Sequence, residues 1–206
     1  TLKEEDLEEL SRDGVTLREA LVSAGYQTEA LKNMRRDDIR AIVELHIEQG
    51  PVLESEQKQI GIVDSIVGIV NYELTIQGSQ NHAGTTSMSL RHDPVVAAAE
   101  FITESTRQMM AQAPSATLTY GAIQVFPGMQ NVIADRVNLL IDLRDGSNEE
   151  LLQDVVLLKR VLESIERKGF QTQLRQNDWL ESVQMDPNVI RVIERHCEEK
   201  HLAYKH

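Results

Sequence analysis

A chain of 206 residues with 41% hydrophobic and 26% charged side chains has the make-up of a folded globular protein and not of a disordered one. Thirty-three acids against 21 lysines and arginines leave a formal charge of −12, and no basic patch interrupts it, which argues against a nucleic-acid or anionic-membrane surface. The single cysteine, Cys197, admits no internal disulfide and fits a reducing cytoplasm, and neither a bilayer-spanning apolar run nor a signal-peptide pattern is present.

In chain order, Thr16-Leu17-Arg18-Glu19 is a capping box that opens a short helix, and Gly25 closes it. From Ala41 to Glu48 the residues alternate, with Val43, Leu45 and Ile47 on one side and Glu44, His46 and Glu48 on the other. That period predicts a strand, stopped by Gly50-Pro51. Residues 66–78 are β-branched and apolar and predict a second strand. Asp93-Pro94 supplies an N-cap and a first-turn proline for a helix reaching about Ala111. Strands follow at 115–125 and 135–145, separated by a turn at Pro127-Gly128. A capping box at Ser147–Glu150 opens a helix that ends at Gly169, a last short strand covers Phe170 to Gln176, and Asp186-Pro187 opens a final helix containing Cys197.

The order β-α-β-β-α-β predicts an α+β, ferredoxin-like split βαβ domain: a four-stranded antiparallel sheet with two helices on one face. Its expected bounds are 65–177. The flanks, 1–64 and 178–206, offer too few elements to enclose a core and read as parts of a second, α/β domain.

Two strings carry the chemistry. Glu44-Leu45-His46-Ile47-Glu48-Gln49-Gly50-Pro51 puts an imidazole between two carboxylates at a strand end, suited to a metal ligand or to a histidine simply hydrogen-bonded there. Asn81-His82-Ala83-Gly84-Thr85-Thr86 places a second imidazole in a loop of small residues, where it could donate to a developing oxyanion or cap a turn. The amide of Asn131 either holds a substrate oxygen or closes its own turn. Arg144 shares a face with Asp142, which suits an intrastrand ion pair or a bidentate clamp on a substrate carboxylate. His92, His196, His201 and His206 read as solvated, and Cys197 as core.

These strings, with Asp13-Gly14-Val15-Thr16-Leu17, Asn131-Val132-Ile133 and Asp142-Leu143-Arg144, resemble the amidase/hydantoinase-carbamoylase branch of the M20 metallopeptidase-like family. That branch holds N-carbamoyl-L-amino acid hydrolases and allantoate amidohydrolases. The resemblance implies that His46 is one of five ligands of a two-metal site taking zinc, manganese, cobalt or nickel, and that Gln49 faces the substrate. It implies that His82 steadies the tetrahedral intermediate and that Asn131 and Arg144 grip the substrate carboxylate. It also implies that 65–177 is a lid that makes a homodimer and reaches into the partner's site, on a small carbamoyl or ureido acid. Ser87 and Ala134 stand where that family usually has proline, which bears on loop rigidity. No His-x-Asp occurs, and Glu8-Glu9 lies too near His46 to be the family's acidic pair. The expectation is therefore an internal fragment of a metal-dependent amidohydrolase, inactive by itself; the alternatives are an allantoate amidohydrolase of the same branch and a non-catalytic dimerisation module.

Overall fold

The computed structural model describes residues 4–11, 13–28 and 38–206, and the chain divides into two compact units, Thr1–Gln49 and Gly50–His206. The first contains helices α1 (Glu4–Leu7) and α2 (Leu17–Ser23). The capping box forms as expected: Thr16 Oγ1 accepts from Glu19 N, and Glu19 Oε2 accepts from Thr16 N at 2.9 Å. Past the end of α2, Gly25 N–H donates to Val22 O and Tyr26 N–H to Leu21 O, a Schellman closure. Arg18 ties the two helices by donating to Glu8 at 2.6 Å and to Glu4, and Leu7 is fully buried.

The strand expected over 41–48 does not form. No β ladder reaches these residues among the described ones, and Ile42, Val43, Leu45 and Ile47 are exposed, Leu45 by 90%. Alternation supplies an apolar face, but a strand also needs a neighbour presenting a matching row of N–H and C=O groups. The first unit offers none among its described residues.

The second unit opens with helix α3 (Val52–Ser55), then β1 (Ile60–Gly61), β2 (Ser65–Ile66), β3 (Gly68–Gln77) and β4 (Asn81–His82). Helix α4 (Pro94–Gln112), β5 (Thr117–Phe126), β6 (Val132–Ile133), β7 (Arg136–Asp145) and helix α5 (Asn148–Glu166) follow. The chain closes with β8 (Gln171–Leu180), β9 (Val183–Gln184), helix α6 (Pro187–Glu199) and β10 (Tyr204–Lys205).

The four long strands form an antiparallel sheet in the order β5-β7-β3-β8, the ferredoxin-like arrangement. Strict alternation explains why one face is dry. Val70, Leu74 and Ile76 of β3 and Val137, Leu139 and Leu143 of β7 are fully buried, whereas Asn71, Thr75, Asn138 and Asp142 take the other face. Both long helices pack on the apolar face. Helix α4 brings Phe101 and Met109, with Asp93 Oδ1 accepting from Val95 N at 2.9 Å and Pro94 in its first turn. Helix α5 brings Leu151, Leu158, Val161 and Ile165, with Ser147 Oγ accepting from Glu150 N at 3.1 Å. At the end of β3, Gly78 lets the backbone close against the next element. A Cβ there would lie 2.4 Å from Pro94 Cδ and 2.5 Å from His92 O.

Three differences from the sequence expectation have physical causes. Strand β8 runs on to Leu180, because an irregularity between Tyr72 and Asn71 absorbs the extra residue Asn177, leaving Asp178 opposite Asn71 and Trp179 opposite Val70. His92 is half-buried and stacks on Phe170, ring centroids 3.9 Å apart. His206 is held between Asp64 (2.9 Å) and Glu194 (3.0 Å), which raises its affinity for a proton. The flanks of the sheet also meet: β2 pairs with β9 antiparallel, and β1 with β10 in parallel. Cys197 is buried, as expected. No described helix is long and apolar enough to cross a membrane.

One buried polar feature lies between β7 and α5. Asp145 is 2% and Asp154 4% exposed, and Asp154 Oδ2 has no partner. Asp145 is satisfied by Ser115 Oγ at 3.0 Å and by Gly146 N–H. Burial, then the adjoining Asp145, then Glu150, push the Asp154 carboxyl up to about 7. Between the ordinary carboxylate range and 7 the folded chain keeps a proton that the unfolded chain releases. This contribution to stability is therefore complete below about pH 4 and is lost as pH rises through 7. Asp154→Asn should flatten that fall, making the chain more stable than the wild type at pH 8 by on the order of 1–2 kcal/mol. Urea unfolding of both proteins at pH 5 and pH 8 measures it; equal differences at the two pH values would contradict it.

Candidate functional site

Five side chains were singled out from the sequence: His46, Gln49, His82, Asn131 and Arg144. His46 and Gln49 belong to the first unit. Both are exposed, His46 Nδ1 lies 2.6 Å from Ile47 O, and Gln49 takes a left-handed backbone with φ 56° before Gly50-Pro51. Among the described residues no three His, Cys, Asp or Glu side chains gather where they could hold a metal ion. A lone imidazole with that exposure is a donor for a metal but not a site for one.

The other three lie in the second unit. Strand β4 carries His82 and pairs antiparallel with β6, placing Asn81 opposite Ile133 and His82 opposite Val132. Ala83 N–H then donates to Asn131 O at 3.0 Å. His82 and Asn131 thus sit at the same end of one two-stranded ribbon, although 49 positions separate them in sequence. The ribbon is moored to the main sheet by Gly78 N–H to Asp135 O at 2.7 Å and by Asp135 N–H to Phe126 O at 3.0 Å. At its edge a cleft of about 450 Å³ is lined by Ala83, Arg91, Gly128, Gln130 and Ile133 among others.

The ring of His82 is oriented by its own loop. Nδ1 accepts from Gly84 N–H at 3.0 Å and from Thr85 N–H at 3.3 Å, and Thr86 N–H closes the turn on His82 O at 3.2 Å. With Nδ1 filled as an acceptor, the ring hydrogen belongs on Nε2, and Nε2 is the outward donor. Gly84 makes the approach possible: a Cβ there would come within 3.2 Å of His82 Cε1. The sequence showed the small residues, but not that their amides would converge on the ring.

Arg144 projects from the polar face near the far end of β7. Its Nε donates to Asp142 Oδ1 at 2.7 Å and its Nη2 to Asp142 Oδ2 at 3.1 Å, while Asn71 Nδ2 donates to the same carboxylate at 3.0 Å. The Arg144 guanidinium, helped by Asn71, holds Asp142 below the usual carboxylate range. The intrastrand pair read from the sequence is therefore present. Asp142 also orients a fork whose remaining N–H groups face solvent.

The separation matters most. The ribbon carrying His82 and Asn131 joins β7 at Arg136, and Arg144 lies eight residues along the same ten-residue strand. At roughly 3.4 Å per residue the ribbon's attachment at Arg136 and Arg144 are separated by about 27 Å of strand. One chain brings His82 to Asn131 but not to Arg144.

The sequence family described as "Peptidase dimerisation domain" matches residues 65–169. Over 154 residues the chain is 40% identical to an N-carbamoyl-L-amino-acid amidohydrolase of Paenarthrobacter aurescens, covering 74% of this chain and 37% of that protein. It is also 40% identical over 148 residues to the allantoate amidohydrolase of Bacillus subtilis strain 168, covering 70% and 36%. The crystal structure of an amidase of the hydantoinase/carbamoylase family from Burkholderia multivorans superposes with a TM-score of 0.84 at 31% identity, over 98% of this chain and 49% of that one. The chain thus spans between about a third and a half of the length of these relatives.

Because the Arg144–Asp142 pair is half-exposed, it contributes little to folding. Arg144→Ala should change the free energy of unfolding by no more than about 1 kcal/mol. Denaturant titration checks this, and a loss of several kcal/mol would make the arginine a structural residue.

Proposed function

The chain belongs to the M20 peptidase dimerisation-domain family, and on that premise we propose that it is the lid, with adjoining segments of the catalytic domain, of a hydrolase of carbamoyl C–N bonds. Its substrate would be an N-carbamoyl-L-amino acid or a related ureido acid. The observation that supports the proposal is that the ribbon and Arg144 lie at opposite ends of the ten-residue strand β7. A substrate of this class has its carboxylate only a few ångströms from its carbamoyl carbon. Arg144 and His82 of one chain cannot both reach it, whereas Arg144 of one copy and His82 of a second can. A homodimer built through the lid therefore completes the site.

Each residue has a definite task. Arg144, freed from part of its pairing with Asp142, holds the substrate carboxylate by two parallel hydrogen bonds. Hydroxide attack on the carbamoyl carbon moves charge onto the carbonyl oxygen. His82 of the partner copy, already carrying its hydrogen on Nε2, donates to that oxygen without taking up or releasing a proton. Asn131, beside His82, donates from its side-chain amide to the same substrate. Gln49 faces the substrate from the other segment.

The family generally binds divalent metals. The described residues do not by themselves fit such a centre, since no three of their His, Cys, Asp or Glu side chains gather in one place. His46 is proposed as one ligand of a binuclear site, filled by zinc, manganese, cobalt or nickel, whose other donors are not gathered around it among the described residues. Activation of the attacking water is assigned to none of its residues. An allantoate-type substrate is the second reading, supported by the equal identity to the Bacillus subtilis enzyme.

Complementation in the complete enzyme tests the shared site. His82→Ala and Arg144→Ala homodimers should each be impaired, Arg144→Ala by a KM raised on the order of tenfold or more. Mixing and re-equilibrating the two variants should restore about a quarter of wild-type activity, because half of the dimers then contain one intact site. No gain on mixing would place all the groups in one chain and defeat the proposal. His46→Ala should lower the divalent metal bound per subunit, measured by elemental analysis; intact stoichiometry would remove His46 from the ligand set.

A further inference from the structure

The loop that orients His82 is largely exposed, and Ser87, not a ring-constrained proline, follows its two threonines. Something else must keep the Gly84 and Thr85 amides aimed at the ring. Arg91 is placed to do so. It is half-buried, its Nη2 donates to Ala83 O at 2.6 Å, and its Nε donates to Thr86 O at 3.2 Å. Those carbonyls are the first and last of the turn 83–86. The peptide nitrogen of Ala83 is held from the opposite side by Asn131 O at 3.0 Å. One planar fork thus spans the turn that contains both amides contacting Nδ1.

We propose that Arg91 is a positioning residue for His82. Its guanidinium staples the two ends of the 83–86 turn, so that the ring is fixed with Nδ1 inward and Nε2 presented as the donor. The functional meaning of this rests on the role given to His82 above, but the arrangement itself does not. Arginine suits the task for a geometric reason: Nε and Nη2 diverge from a rigid plane and meet two carbonyls at once, which a lysine ammonium on a flexible stem cannot reproduce. Arg91 makes no ion pair among the described residues, so its donors go to the backbone and not to a carboxylate. His92, the next residue, anchors the following backbone by stacking on Phe170, and His92 O accepts from Ser79 N–H at 2.9 Å. The staple therefore issues from a point fixed to the main fold.

The test uses this 206-residue chain in solution and involves no substrate, so it is judged apart from the hydrolase proposal. Long-range ¹H–¹⁵N correlation reads the two ring nitrogens of His82. In the wild type Nε2 should be the protonated nitrogen and Nδ1 the bare one, with widely separated resonances. In Arg91→Ala the two resonances should move toward each other as the ring exchanges between tautomers. Amide exchange at Gly84 and Thr85 should quicken by roughly five- to tenfold, the worth of one ordinary hydrogen bond. Amides of Leu74 and Leu139 should keep their wild-type protection, which separates this from unfolding. Arg91→Lys should resemble Arg91→Ala. Gly84→Ala should disturb the same ring signals with Arg91 intact, because its Cβ would press on Cε1. Unchanged ring and amide signals in Arg91→Ala, or full restoration by lysine, would overturn the proposal.

Discussion

The packing of the central strand pair against two helices fixes everything else in the larger unit. Strands β3 and β7 are neighbours over ten consecutive residue pairs, and their inward rows are fully or almost fully buried. Removing one such side chain, as in Leu139→Ala, would cost about 2–5 kcal/mol, a large share of a domain's stability. A slip of one position would turn the whole apolar row outward, so the register is held strongly. Because of that rigidity, whatever hangs from the ends of β7 has a defined place.

The two ends of the strand are used differently. At one end a short ribbon carries His82 and Asn131, held by the buried Ile133 and by hydrogen bonds: the β4–β6 pairing, the Ala83–Asn131 contact and the amides turned onto Nδ1. At the other end Arg144 stands on the sheet itself, its fork oriented by Asp142 and, through it, by Asn71. The first arrangement can be adjusted by small loop changes; the second cannot, because its neighbours belong to the ladder. A group that grips a substrate carboxylate benefits from the stiffer support, since orientation multiplies the value of a bidentate contact. A ring that is to donate to a developing oxyanion needs its direction fixed as well, and here two backbone amides and the Arg91 fork supply that.

How far the sequence revealed this depended on whether the controlling interaction was local. The helices were legible because their signals lie within four residues: Thr16 with Glu19, Asp93 with Pro94, Ser147 with Glu150. The four sheet strands were legible because each alternates against a core contained in the same unit, and their order followed from the split βαβ pattern. The segment 41–48 alternates equally well and yet forms no strand, since pairing is a property of a neighbour and not of the segment. Strand β8 passes beyond Gln176 only because its partner β3 accommodates the extra residue Asn177 between Tyr72 and Asn71, which no local pattern reveals. His206 and His92 looked solvated, and only the tertiary fold brings Asp64, Glu194 and Phe170 to them. Of the site, the residue types could be read from two strings. The tautomer of His82 could not, because two backbone amides determine it.

The length of β7 imposes a further consequence on any site built from these residues. A strand of ten residues cannot be bent back on itself while it is paired on both sides, so the span from the ribbon's attachment at Arg136 to Arg144 is fixed by the sheet. A substrate that needs both groups must therefore be met by two chains, and the two chains must run so that the ribbon end of one approaches the Arg144 end of the other. A two-fold axis does this without additional parts, because it brings each end to its opposite twice and yields two equivalent sites. In the proposed shared site, dimer formation and site completion then become one event. A mutation that weakens the contact between copies would lower activity even when every residue touching the substrate is unchanged.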